Sequence, residues 1–361
     1  MACIDARIER VGPWHALPST FRPLDVSMQS LLELHESHHA VAGLLAEQLT
    51  EVSHVFERQL ASDLSAVNAL CLHIEQYRGK MLRPTLVLLS GLAAAGEPCT
   101  RDRLTDRHRV VAAVTEMIHM ATLVHDDVLD EADVRRRGAT VNHLWGNETA
   151  VMLGDYLISN AFHLCSSLGD PAINLALGEV TNTLCEGELV QLHHRDDYSI
   201  DEATYFEIVS RKTASLIGEC CRLGAAISTN DAKLPLVFKR FGHALGIAFQ
   251  IQDDLLDLIG DDRVVGKSLG KDLDKGKLTL PLTRYMASAT QAGRGEALRL
   301  IEQRDAAALR DILLESGSVE STRRTAMDYV ESAKSELVHL PPGPAASLLA
   351  TLADQVVTRA H

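Results

Sequence analysis

The sequence predicts an all-α protein, a large helical bundle around a central cavity between facing helices. Three observations carry that expectation. Aromatic residues are only 4% while Leu and Ala dominate an apolar content of 46%, a composition that favours helix over sheet. Apolar residues recur at spacings of three and four through most of the chain. No segment reads as a ladder of alternating strands.

The elements follow in order. Residues 1–25 carry Pro13, Pro18 and Pro23 without periodicity and are expected to be a mobile N-terminal extension. Residues 26–361 are expected to form a single all-α domain, a length that supports one substantial core. The pattern is helical from Asp25 to Tyr77. His35, His38 and His39 beside Glu36 read there as a solvated helix face. Next comes Arg78–Pro84, RGKMLRP, and Pro84 is expected to open an apolar helix over Thr85–Ala95. Lys80 and Arg83 lie three apart at that helix start, where cations oppose the macrodipole. A bound anion would relieve the conflict.

A long apolar helix is predicted over Val110–Val128. Asn142–Leu168 and Ala172–His194 read as two more, with Pro171 near the break. Asp201 opens another, with Glu202 in its first turn. That helix contains RKTASLI, which sets Lys212 and Thr213 among apolar residues. Pro235 starts the helix that carries Gln250. A loop rich in Gly, Lys and Asp then holds Lys267, Lys271, Lys275 and Lys277. Three or four short amphipathic helices complete the chain, broken at Gly317 and at the PPGP of 341–344.

Two stretches concentrate chemistry: HMATLVHDDVLDEADVRRRG at 119–138 and QIQDDLLDLIG at 250–260. Each sets Asp-Asp-x-x-Asp in an apolar run. Residues four apart share a helix face, so Asp126 projects with Asp130 and Asp253 with Asp257. Asp127 and Asp254 lie about 100° round the same helices. Carboxylates crowded this way are costly to bury unless cations neutralise them. Magnesium, which binds through one or two carboxylates plus substrate phosphates, suits the pattern. Two such patches suggest two walls of one metal–diphosphate site, and Arg135, Arg136 and Arg137 follow the first at once.

Composition excludes other classes. A net charge of −14 argues against nucleic acid as partner. The seven cysteines are scattered, without CxxC or zinc spacing, and fit reduced thiols in the cytoplasm. No uninterrupted apolar run reaches the length of a membrane span. The first residues lack the apolar core of a signal peptide.

Together these residues resemble the trans-isoprenyl diphosphate synthases, the polyprenyl synthetase family, from about residue 50 onward. The matching motifs are GKMLRP (79–84), HMATLVHDDVLDEADVRR (119–136), GNETAVMLGD (146–155), GELVQL (187–192), RKTA (211–214), FQIQDDLLD (249–257), GKSLGKDLDKGKLTLP (266–281) and a closing helix LADQVVTR (352–359). The resemblance implies an enzyme that joins isopentenyl diphosphate to an allylic diphosphate, head to tail and in trans, with three Mg²⁺ ions once substrate is bound. It implies that Asp126, Asp127, Asp130, Asp253, Asp254 and Asp257 hold the metal. Arg135, Lys212, Thr213, Gln250, Lys267 and Lys277 would hold the allylic substrate. Lys80, Arg83, His119 and Arg136 would hold isopentenyl diphosphate. Lys212, Thr213 and Gln250 would also shield the allylic cation, and the departing diphosphate would take the last proton. A homodimer is implied as well. Two details depart from the family: Arg78-Gly79-Lys80 stands for its usual GGK, and the arginines run Arg135-Arg136-Arg137 before Gly138.

Product length is read from the helix before Asp126, where Thr122, Ala121, Ile118 and Thr115 gate successive levels about 5.4 Å per turn apart. Ala121 and Thr122 are small, so a medium- or long-chain product of the octaprenyl or solanesyl type is expected. The alternatives are a short-chain farnesyl or geranylgeranyl synthase, a terpene cyclase on the same fold, a non-catalytic subunit that tunes a partner synthase, and a helical scaffold.

Overall fold

The computed structural model describes residues 36–135, 138–259, 275–277 and 279–358. The N-terminal extension, Arg136 and Lys267 lie outside these residues. Helices α1 (Glu36–Leu60) and α2 (Ser65–Ile74) lead through a short 3₁₀ turn, Glu75–Tyr77, to α3 (Leu82–Ala95) and α4 (Asp106–Leu129). Then come α5 (Val141–Trp145), α6 (Asn147–Ser166), α7 (Pro171–His193) and α8 (Glu202–Val209). A π-helical turn, Ser210–Ala214, joins α8 to α9 (Ser215–Ser228), and α10 (Leu234–Ile259) follows. The remaining helices are α11 (Leu280–Ser288), α12 (Gln291–Glu302), α13 (Ala306–Glu315), α14 (Ser318–Leu337) and α15 (Pro344–Thr358).

The predicted fold class is the observed one, and local chemistry explains the boundaries. Asp170 caps α7 with its side chain ahead of Pro171, and Asp201 caps α8, each accepting from free first-turn N–H groups. At α4 the Thr105 N–H donates to Nδ1 of His108 at 3.1 Å while the ring Nε2 lies 2.9 Å from Ser228 Oγ. His108 is fully buried there.

Five details differ from expectation. Helix α3 starts at Leu82 rather than after Pro84, which fits because a first-turn proline gives up only an N–H with no helical partner. The run Asn142–Leu168 is two helices, broken at Gly146 with φ 90°. A two-residue hairpin pairs Val134–Arg135 with Gly138–Ala139, too short to leave a periodic signature. His38 is buried and 3.0 Å from Ser347 Oγ on α15, so that part of the expected solvated face is packed; His39 is exposed. Helix α14, with 20 residues, is also longer than the short helices expected.

Two apolar clusters form the interior. The larger joins α1–α7, α9, α15, the first part of α10 and the later part of α14. The smaller holds Tyr205, Val209, Ile247, Ile251 and Leu255 against α11–α14. Helix α10 runs through both, and its acidic motif lies toward the end that packs in the smaller one. No described helix is long and apolar enough to cross a membrane.

Candidate active site

The π-helical turn positions the centre of the site. It carries Lys212 and Thr213, and such turns widen a helix by one residue and re-aim its side chains. It is gripped on both sides. A Cβ at Gly187 of α7 would lie 2.6 Å from the Lys212 backbone nitrogen, and one at Gly246 of α10 2.6 Å from Ala214 Cα. Only glycine at these positions allows so close an approach.

From this turn, contacts reach both acidic motifs. Lys212 Nζ lies 3.8 Å from Asp126 Oδ2 and pairs with Glu188. Burial by itself would lower the Lys212 pKa, but Asp126, Glu188 and Asp130 outweigh it and hold the ammonium above its ordinary value. Thr213 Oγ1 donates to Gln250 Oε1 at 2.9 Å, and Gln250 Nε2 donates to Asp254 Oδ1 at 2.9 Å. The two acidic stretches therefore face one site rather than opposite surfaces.

Within each motif the three carboxylates differ. Asp127 is 1% exposed and Asp254 5%, whereas Asp126, Asp130, Asp253 and Asp257 are half-buried or lie at the boundary of the site. Asp127 accepts from Arg135 Nε at 2.8 Å. Burial pushes its carboxyl above the usual range despite that guanidinium. Tyr205 Oη donates to Asp254 Oδ2 at 2.6 Å.

Asp130 is the cap residue of α4, where the macrodipole disfavours an anion. Cations compensate: Lys277 Nζ at 2.6 Å, Lys275 Nζ at 3.5 Å and Arg195 Nη2 at 3.6 Å. Burial would raise its pKa, but Lys277, Lys275 and Lys212 hold it below the ordinary carboxylate range.

On the other side of the site, Arg83 is pulled below its usual pKa by burial and sustained by Glu116 and Asp253. It thus lies within electrostatic reach of α4 and the second acidic motif together. Lys80 is exposed on the loop before α3, and His119 is half-buried on α4 one turn from Glu116. Arg136 and Lys267 belong to the residues the structure leaves undescribed. Thr115, Ile118 and Ala121 are fully buried below Asp126, and Thr122 is half-buried.

The donor set suits a hard divalent cation. The candidate donors are all carboxylate oxygens, with the ammonium groups of Lys212 and Lys277 beside Asp126 and Asp130. Among the described residues no three His, Cys, Asp or Glu side chains stand close enough to hold an ion unaided. A magnesium ion that takes one or two protein carboxylates and completes its shell with phosphate oxygens and water matches this arrangement.

Glu188, Arg195, Tyr77 and Tyr205 were not singled out by sequence reasoning. Glu188 stands in the GELVQL motif and carried a signal. The other three are isolated polar residues whose partners lie far along the chain.

The polyprenyl synthetase family model matches residues 65–313. The chain is 35% identical over 323 residues to the octaprenyl diphosphate synthase of Escherichia coli (strain K12), covering 88% of this chain and 97% of that one. It is 31% identical to heptaprenyl diphosphate synthase component 2 of Bacillus subtilis (strain 168), covering 88% and 89%. Among solved structures, the polyprenyl synthase of Caulobacter crescentus CB15 complexed with calcium and isoprenyl diphosphate superposes with a TM-score of 0.82 at 30% identity, over 91% of this chain and 100% of that one.

Proposed function

The chain belongs to the polyprenyl synthetase family, and from that premise we propose that it is an all-trans polyprenyl diphosphate synthase making a medium- or long-chain product. It is a prenyltransferase that joins isopentenyl diphosphate to an allylic diphosphate. The observation that carries the reading is the continuous run from Asp126 through Lys212, Thr213 and Gln250 to Asp254, which makes two distant acidic motifs into one site.

The residues divide the work by chemistry. Asp126, Asp130, Asp253 and Asp257 would hold Mg²⁺, three ions with substrate present, while Asp127 and Asp254 fix the motifs from behind. Bound magnesium supplies positive charge against the departing diphosphate. Lys212, held charged by Asp126, Glu188 and Asp130, and Lys277, paired with Asp130, would turn to the diphosphate oxygens as the allylic C–O bond weakens. Lys267 and Arg135 would assist on the same side. Thr213 and Gln250 would present their dipoles to the allylic cation. Lys80, Arg83, His119 and Arg136 would hold isopentenyl diphosphate so that its double bond meets the cation before water does. Thr122, Ala121, Ile118 and Thr115 would line the path of the growing tail.

We further read the face of α6 and α7 as the surface of a homodimer. Met152, Leu175 and Leu189 are each more than half exposed, and an open cleft of about 400 Å³ lies there between Phe162, Pro171, Leu175 and Gly178. Apolar exposure of this kind marks association. The free, mostly buried cysteines among the described residues support a reducing compartment, the cytoplasm.

The test is a product assay with purified protein, Mg²⁺, farnesyl diphosphate and isopentenyl diphosphate. Elongation beyond geranylgeranyl diphosphate is expected. A product that stops at fifteen or twenty carbons defeats the long-chain reading, and no isopentenyl-dependent product defeats the synthase reading.

A further inference from the structure

Each acidic motif is backed by a buried tyrosine. Tyr77 is 2% exposed and Tyr205 3%, yet both place a hydroxyl at a carboxylate. Tyr205, on α8, donates to Asp254 at 2.6 Å. The Tyr77 hydroxyl stands beside the Asp127 carboxylate, whose Oδ2 is buried without a hydrogen-bond partner, and it accepts from the Val141 backbone N–H at 3.0 Å. The two motifs come from different helices, and the two tyrosines from different apolar clusters. In both cases it is the central, most buried aspartate that the tyrosine faces.

The surroundings of each tyrosine connect it to a second function. Tyr77 immediately precedes Arg78–Pro84, which carries Lys80 and Arg83. Its ring packs edge-on against His73, with centroids 6.2 Å apart, and His73 stands likewise against Trp145 and lies 2.9 Å from Ala139 O of the hairpin. Asn142 adds donation to the Asp127 carbonyl at 3.2 Å. Tyr205 lies two turns before Lys212 on the segment that enters the π-helical turn, and its partner Asp254 also accepts from Gln250 Nε2, whose Oε1 accepts from Thr213.

We propose that Tyr77 and Tyr205 are a pair of positioning residues, each fastening the central aspartate of one acidic motif to the segment that carries the substrate-facing cations. This rests on the reading of both motifs as metal–diphosphate ligands. A carboxylate on a buried helix retains several rotamers unless its lone pairs are engaged. With Asp127 and Asp254 fastened, the helix turns bearing Asp126, Asp130, Asp253 and Asp257 are held in one orientation before any ion arrives. Little ordering is then left for binding to accomplish.

The variants are Tyr77→Phe and Tyr205→Phe, which keep ring and burial and remove only the hydroxyl. Binding of Mn²⁺ in the presence of inorganic diphosphate is followed through the paramagnetic resonance signal of free Mn²⁺. Each variant is expected to need about tenfold more Mn²⁺ for half-saturation, the scale of one hydrogen bond to a charged group. The two should also part kinetically: Tyr77→Phe raises KM for isopentenyl diphosphate, and Tyr205→Phe raises KM for the allylic diphosphate. Tyr285→Phe, which loses a hydroxyl remote from the site, should bind Mn²⁺ as the parent does. Parent-like Mn²⁺ affinity in both tyrosine variants overturns the proposal while leaving the metal reading intact. Absence of Mn²⁺ uptake by the parent protein defeats the metal reading and the proposal with it. If one variant does not fold, the other decides, since the hydroxyls serve separate helices.

Discussion

Asp130 gathers three cations from two distant segments, Lys277, Lys275 and Arg195. Of these, Lys277 is legible through the family motif and Lys275 only as a member of a Lys-rich loop, a composition that a solvated loop shares. Arg195 is not, for nothing beside it marks an anion site. The same holds for Tyr77 and Tyr205, whose meaning is entirely tertiary. Lys212, Thr213 and Gln250 are legible as a group through the family motifs, and the structure bonds Thr213 to Gln250 and adds Glu188 at Lys212 and Asp254 at Gln250. His108 supplies a pH test of the fold itself. Burial, with Arg109 and Arg107 adding to it, lowers its pKa from 6.5 to about 4. The Thr105 N–H also requires an unprotonated Nδ1. Below pH 6.5 the unfolded chain binds a proton that the native state refuses until pH 4. Stability present above pH 6.5 is therefore lost as the pH falls, by about 3 kcal/mol at full effect. Urea melts across this window should show His108→Gln losing less than the parent. Equal slopes would remove His108 as a cause. Ala121 carries the length prediction. Ala121→Phe fills space one turn above Ile118, and chromatography of the products should show shorter chains; an unchanged distribution would take position 121 out of the gate.

The π-helical turn is the element on which the site turns. Sequence periodicity runs straight through Ser210–Ala214, because one extra residue in a turn leaves the apolar spacing on either side intact. Of the glycines that admit it, Gly187 opens the GELVQL motif, while Gly246 stands in an apolar run that nothing marks. In the structure they are the reason the turn fits between α7 and α10. Gly187→Ala would drive a methyl into the Lys212 backbone and should cost about 1–3 kcal/mol in stability. Because the same shift moves Lys212, kcat/KM should fall more steeply than the melting temperature alone accounts for. A variant with reduced stability and parental kcat/KM would show that the turn is merely a packing feature. Helix starts are legible where Pro171 and Asp201 punctuate the chain; Asp201 caps its helix as read, and at Pro171 the cap is the preceding Asp170. The hairpin at 134–139 escaped because two residues per strand show no alternation.

For the molecule as a whole, the helical class followed from composition and spacing, and the pairing of the acidic motifs from their repetition. What the sequence lacked was the order in which helices pack, which depends on contacts between residues far apart in the chain. The α6–α7 face gives the clearest test at this scale. Light scattering should report twice the chain mass, and Leu175→Glu should shift it toward one. A parent protein that runs as a monomer would sink the dimer reading.

The two apolar clusters have a bearing on turnover. One acidic wall grows out of the larger cluster and the other out of the smaller, with α10 as the shared spine. The smaller packs around short helices, and fewer layers resist its loosening. Amide exchange should accordingly be faster in α11–α13 than in α4 or α9. Opening confined to that seam would loosen one acidic wall while the larger interior stays shut.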